Sequence, residues 1–146
     1  MDRIPPFPLW VGHAGDGRDV VALFDRGIEA VVQVAVEEEP LRPSRELICL
    51  RFPLSDGTGN RAEVVRLALV ATSSLLALGV PTLVCCGSGL SRAPALAAGS
   101  LAILDGETPE SRLIELSRYR RCDVSPGFWG DVVGAVARTS PSRWSR

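Results

Sequence analysis

TLVCCGSGLSRAPALAAGSLAIL (82–104) reads as strand, loop and helix in direct succession. TLVC (82–85) is a short apolar run of the kind that fills a buried strand. CGSGLSR (86–92) carries two glycines and polar residues that break the run. From about residue 92 to 104 the chain turns Ala- and Leu-rich, which favours a helix.

The same alternation extends outward on both sides. LWV (9–11) reads as a short strand, and Asp16 as the cap of a helix to about Arg26 that Gly27 stops. AVVQVA (30–35) and LICLRF (47–52) are further strands, separated by the charged loop EEEPLRPSR (37–45). After the turn-rich PLSDGTG (53–59), Asn60 stands as an N-cap with Glu63 in capping-box position, and the helix runs to about Leu78 before Gly79. Thr108-Pro109 and Ser125-Pro126 each start a later helix, the second reaching about Ala137. Strands separated by helices predict a single α/β domain over residues 1–138. Its core would be a central, mostly parallel sheet of about four to five strands flanked by helices. The tail, residues 139–146, is expected to fray. In such a sheet the functional site lies beyond the carboxyl ends of the strands, where the 86–92 loop falls.

Composition excludes several classes. The chain has 146 residues, 46% of them hydrophobic, enough for a core without disulfides or metal. Sixteen basic residues face 17 acidic ones, which speaks against a nucleic-acid binder. All the basic residues are Arg. With abundant Ala, Gly, Val and Pro this points to GC-rich codons and a bacterial source. No apolar run approaches the roughly 20 residues that span a bilayer, and the N-terminal stretch has no h-region, so no membrane partner is expected. Cys49, Cys85, Cys86 and Cys122 show neither a disulfide framework nor C-x-x-C spacing, and His13 is the only His. Reduced thiols, a cytoplasmic location and no metal or cofactor are the expectation.

The 86–92 loop carries the chemistry. It spaces Cys86 and Arg92 as C-x5-R around Gly87, Ser88, Gly89, Leu90 and Ser91. Two glycines let successive amides turn inward into an anion-binding nest. The following helix adds its dipole, and the guanidinium supplies a planar fork for two phosphate oxygens. The same field favours a thiolate, so one loop can bind a phosphate dianion and prepare Cys86 to attack it. A leaving alkoxide then needs a proton. Asp56, on the loop after a strand, can supply it at the same edge of the sheet.

These residues resemble the dual-specificity subgroup of cysteine-dependent protein phosphatases, a compact bacterial-type member. The family loop reads H-C-x-x-G-x-S-R-S, matched by Cys86, Gly89, Ser91 and Arg92. FPLSD (52–56) looks like the family's acid loop, with Asp56 in the acid's place, 30 residues before Cys86. Residues 8–35 look like its opening strands and helix, and RRCDVSPGFWGDVV (120–133) like its closing segment. The resemblance covers about residues 9–137. It implies a protein tyrosine phosphatase-like fold and hydrolysis of phosphorylated Tyr, Ser or Thr on a protein or peptide through a phosphocysteine. Nothing resembles a phosphotyrosine-clasping loop, which implies a shallow pocket. The family's His before the nucleophile is Cys85 here, and its hydroxyl residue after the arginine is Ala93.

Two other classes fit part of the pattern. A phosphate-recognition module would keep the loop without turnover, and the Cys85 and Ala93 departures favour it. A rhodanese-type sulfurtransferase also places Cys between strand and helix, but the upstream acid and the opening and closing segments count against it. Glu37, Glu38 and Glu39 read as a solvated loop face or, alternatively, as charges that select substrates, His13 as a solvated turn residue, Trp129 as packing for the last helix and Cys49 as a core residue. A disulfide between Cys49 and Cys86 requires proximity that sequence does not reveal.

Overall fold

The structure is a computed structural model, and it describes residues 1–43 and 46–139. Among these residues five strands form one sheet: β1 (Asp2–Arg3), β2 (Leu9–His13), β3 (Ala30–Gln33), β4 (Ile48–Arg51) and β5 (Thr82–Cys86). Their order is β1-β2-β5-β3-β4. β2, β5, β3 and β4 are parallel, and β1 adds antiparallel at one edge. The expected sheet is thus present. β1 escaped the sequence reading because two residues show no period. β5 lies at the centre with every residue buried, which is why it is written as an unbroken apolar run.

Among the described residues six helices cover the sheet: α1 (Ala14–Arg18), α2 (Val20–Asp25), α3 (Ala62–Ala77), α4 (Arg92–Asp105), α5 (Pro109–Leu116) and α6 (Pro126–Ala137). The larger core joins Val11, Val32 and Val84 of the sheet to Leu69 of α3, Leu96 of α4, Leu116 of α5 and Phe128 of α6. The smaller core, on the opposite face, joins Val31, Leu83 and Cys85 to Leu23 of α2 and to Ile28. α4 is buried from Arg92 through Ile103, so it has no solvent face and no amphipathic stripe. A Cβ on Gly99 would come within 2.7 Å of Val132 and 2.8 Å of Leu69, so this glycine lets α3 and α6 close on α4.

Four local expectations are corrected. The helix expected from Asp16 to Arg26 is two helices. His13 caps α1, accepting from Gly15 N at 3.0 Å, while Asp16 closes the capping box from its third position. Asp19 then caps α2 through Ala22 N at 3.1 Å. Asn60 is not a cap: the N-cap of α3 is Arg61, without a side-chain bond. Cys49 is exposed rather than core, because β4 is an edge strand. Thr139, expected to fray, is buried and donates to Ala135 O at 2.9 Å. The remainder of the expected tail, residues 140–146, lies outside the described residues.

Register aligns the strand ends. His13 stands opposite Cys86, Gln33 opposite both Cys85 and Arg51. The segments leaving these ends carry Glu37, Asp56 and the 86–92 loop.

Candidate active site

The loop between β5 and α4 wraps the sulfur of Cys86. Sγ accepts from Gly89 N at 3.3 Å and from Ala93 N at 3.4 Å, so two amide dipoles point at it. The loop carbonyls are drawn outward. Gly87 O accepts from Ala14 N at 3.2 Å, Leu90 O from Asp123 N at 2.7 Å, and Gly89 O from Arg120 Nε at 2.8 Å. Arg120 also reaches Asp2 at 2.8 Å and Val11 O at 3.3 Å, tying the loop to the sheet edge. Carbonyls held outward leave the alternate amides facing in, as an anion nest requires.

The two glycines do different jobs. Gly89 has φ +76°, and a Cβ there would lie 2.7 Å from Gly12 O. Gly87 is not left-handed; its lack of a side chain leaves room, since a Cβ would sit 2.9 Å from Glu37 Oε2 and 3.4 Å from Arg92 Nη2. Ser88 is exposed, and its Oγ accepts from Leu90 N at 3.4 Å.

Arg92 is buried, and one edge of its guanidinium is already engaged. Nη1 donates to Glu37 Oε1 at 2.6 Å and to Leu54 O at 2.9 Å, while Nη2 donates to Glu37 Oε2. This corrects the reading of Glu37 as a solvated face: its carboxylate is half exposed but forked onto Arg92. The hydrogen bond from Arg92 holds the Glu37 carboxyl below its ordinary range against a smaller opposing push from burial. It also holds the Arg92 guanidinium more firmly protonated. The loop bearing Glu37 is stapled from the strand ends, by Gln33 Nε2 to Glu39 O at 2.8 Å and Arg51 Nη2 to Val36 O and Glu38 O at 3.2 Å each. Glu38 pairs with Arg18 at 2.7 Å.

Asp56 reaches the same loop from the other side. Its Oδ1 accepts from Ser91 Oγ at 2.6 Å and from Ser125 Oγ at 2.9 Å. Asn60 folds the segment that carries it: Oδ1 accepts from Ser55 N at 2.8 Å, and Nδ2 donates to Ser55 O at 2.9 Å and Gly57 O at 3.3 Å. Asn60 therefore closes the loop that carries Asp56 instead of capping α3.

Cys85 takes no part. It points into the smaller core, and burial above all pushes its thiol up to about 12. Cys49 is opposite Val31, on that same face, so a disulfide with Cys86 has the sheet in its way. His13 is half exposed and serves α1. A cleft of about 710 Å³ between α1 and residues 39–43 lies apart from Cys86 and Arg92. Among the described residues no cluster of His, Cys, Asp or Glu could hold a metal ion, and no helix is long and apolar enough to cross a membrane.

The structure thus brings Cys86, Arg92 and Asp56 around one loop. The sequence reading missed Glu37 on Arg92, Arg120 on the loop carbonyl and Ser125 on Asp56. The Ser-Pro pattern marks Ser125 only as a helix start, and Arg120 is one arginine among sixteen.

No protein-family model and no curated protein matches the sequence. Solved structures do match. Human DUSP28 superposes with TM-score 0.83 at 21% identity, covering 94% of this chain and 96% of that one. A mouse protein described as a dual specificity phosphatase, complexed with zinc tungstate, gives 0.82 at 22% identity over 94% and 86%. The human tyrosine phosphatase-like serine/threonine/tyrosine-interacting protein gives 0.79 at 18% identity over 94% and 96%. The chain has the fold of the dual-specificity phosphatases.

Proposed function

We propose that the protein hydrolyses phosphate monoesters on phosphoproteins, at Tyr and also at Ser or Thr, through a phosphocysteine on Cys86. One observation carries this reading. Cys86 Sγ sits among amide donors, while Arg92 Nε has no acceptor among the described residues and Nη2 spends one of its two N–H groups on Glu37, which leaves the Nε–Nη2 edge open. Glu37 and Leu54 O engage the other edge, so the free edge is fixed in direction and offers a fork to a phosphate.

Sγ attacks phosphorus, the P–O bond breaks, and Asp56 protonates the departing oxygen. Asp56 then takes a proton from the water that cleaves the S–P bond. The inward amides and Arg92 stabilise charge on the phosphoryl oxygens as it redistributes. Such chemistry needs a reduced thiol, consistent with a cytoplasmic setting. The absence of a hydroxyl at Ala93 favours a second reading, a module that holds a phosphorylated partner without turnover. Steady hydrolysis of an aryl phosphate by the intact protein, lost in Cys86→Ser while vanadate still binds, supports the enzyme. Vanadate binding without Cys86-dependent turnover supports the module. Phosphopeptides and phosphoinositides tested side by side identify the substrate.

A further inference from the structure

The starts of α4 and α6 share an anomaly. Ser91 is the N-cap of α4 and Ser125 the N-cap of α6, and neither side chain caps its helix. A serine at this position ordinarily accepts from the second or third helical amide. Thr108, at the start of α5 and also followed by proline, does cap its helix, accepting from Ser111 N at 3.1 Å. Both diverted hydroxyls go to one atom, Oδ1 of Asp56, at 2.6 and 2.9 Å.

We infer that Ser125, acting with Ser91, is a positioning residue that orients the Asp56 carboxyl for proton transfer, an inference that rests on the phosphatase reading above. The hydrogen-bond directions are fixed by their own chain. Ser125 N donates to Ser91 Oγ at 2.9 Å, so the Ser91 hydroxyl proton turns to Asp56. The Ser125 hydroxyl gives its proton to the same oxygen. An oxygen that accepts two donors is a poor place for the acid's own proton, so that proton resides on Oδ2. Oδ2 delivers it to the departing oxygen as the P–O bond breaks, and the two hydroxyls stay to stabilise the carboxylate that results. Oδ2 later collects the proton released by the attacking water.

The backing for this arrangement is α6 itself. A Cβ on Gly127 would lie 2.8 Å from Thr58 Cγ2 and 3.0 Å from Thr58 N, so the first turn of α6 is packed against the acid loop. Asn60 Nδ2 also lies 3.5 Å from Asp131 Oδ2 of α6. The acid loop is therefore docked on α6 and on the first residue of the α4 cap at once.

The test compares Ser125→Ala and Ser125→Thr with the parent on two substrates, an activated nitrophenyl phosphate and a phosphotyrosine peptide, whose leaving group needs the proton. Ser125→Ala should lower kcat/KM on the peptide about tenfold more than on the nitrophenyl ester, the value of one hydrogen bond to a charged group. Ser125→Thr, which keeps the hydroxyl, should restore the ratio. An equal loss on both substrates, or no loss on either, overturns the inference, since a merely structural serine would not discriminate by leaving group. Hydrogen exchange supplies a readout independent of turnover. Amides of residues 55–60 should exchange faster in Ser125→Ala than in the parent, and unchanged protection overturns the inference. Absence of Cys86-dependent turnover in the parent would sink the phosphatase reading instead, leaving the exchange result to decide the docking.

Discussion

Cys85 and Cys86 are neighbours on one strand, both buried, and their surroundings differ in nearly every respect. The two-residue period of β5 sends them to opposite faces. Cys85 meets Leu23, Ile28, Val31 and Leu83, finds no donor among the described residues, and is pushed up to about 12, chiefly by burial. Cys86 ends the strand where the chain turns, and two amides point at its sulfur. Burial alone makes an inert thiol. The difference lies in the loop: carbonyls pulled outward by Ala14, Arg120 and Asp123, amides turned inward, and an arginine aimed by a carboxylate.

The sharpest way to break this contrast is to exchange each sulfur for oxygen. Cys86→Ser should reduce turnover to background, because a serine hydroxyl gains little nucleophilicity from a nest that favours an anion. Vanadate affinity should persist, since the amides and Arg92 remain. Cys85→Ser should leave turnover of the folded protein nearly intact but lower stability by about 1–3 kcal/mol, the penalty for a hydroxyl placed in an apolar cluster without a partner. Kinetics and urea titration of both variants check this. Activity surviving in Cys86→Ser, or vanishing in a folded Cys85→Ser, would reverse the roles of the two faces.

The next effect in size is that of Asp56. Asp56→Asn keeps the shape and removes the proton, so hydrolysis of a phosphotyrosine peptide should fall about 10²–10⁴-fold. An activated nitrophenyl ester should lose far less, because its leaving group departs without protonation. Parallel losses on the two substrates would place the acid elsewhere.

The layered α/β fold and the position of the loop were legible because short apolar runs alternate with helical stretches along most of the chain. β5 reads as apolar throughout because it is central, and Pro109 and Pro126 mark their helix starts as expected. The position of Asp56 beside the 86–92 loop was legible from its place after a strand. Asn60 was misread, and the bond from Ser125 to Asp56 was missed, for one physical reason. Short polar side chains cap helices and close turns with the same hydrogen bonds, and tertiary neighbours decide between the two. Asn60 spends its amide on Ser55 and Gly57, and Ser125 its hydroxyl on Asp56. Glu37 was hidden by its neighbours. Three consecutive glutamates read as a solvated face, and only the stapling of residues 36–39 by Gln33 and Arg51 singles out the first of them.

Glu37 gives the smallest effect on stability, and the one with a definite pH signature. Glu37→Gln removes the charge that fixes the engaged edge of Arg92, so kcat/KM should fall by about tenfold, the worth of one charge-assisted bond. Because Glu37 is half exposed, solvent screens the pair and its loss should cost less than about 1 kcal/mol of folding stability. The sign with pH follows from the lowered carboxyl. A group held more acidic in the folded state than its ordinary 4.5 stabilises the fold above that value and loses the contribution as pH falls through the folded value. The parent should therefore exceed Glu37→Gln in melting temperature at neutral pH, and the two curves should converge on acidification below the ordinary carboxylate range. Cys85, titrating at about 12, contributes no such slope in this window, so the Cys85→Ser difference should stay flat from neutral to acid. Melting curves of all three proteins across this range check both statements. A Glu37→Gln difference that stays constant into acid would mean that the carboxylate acts through packing and not through its charge on Arg92.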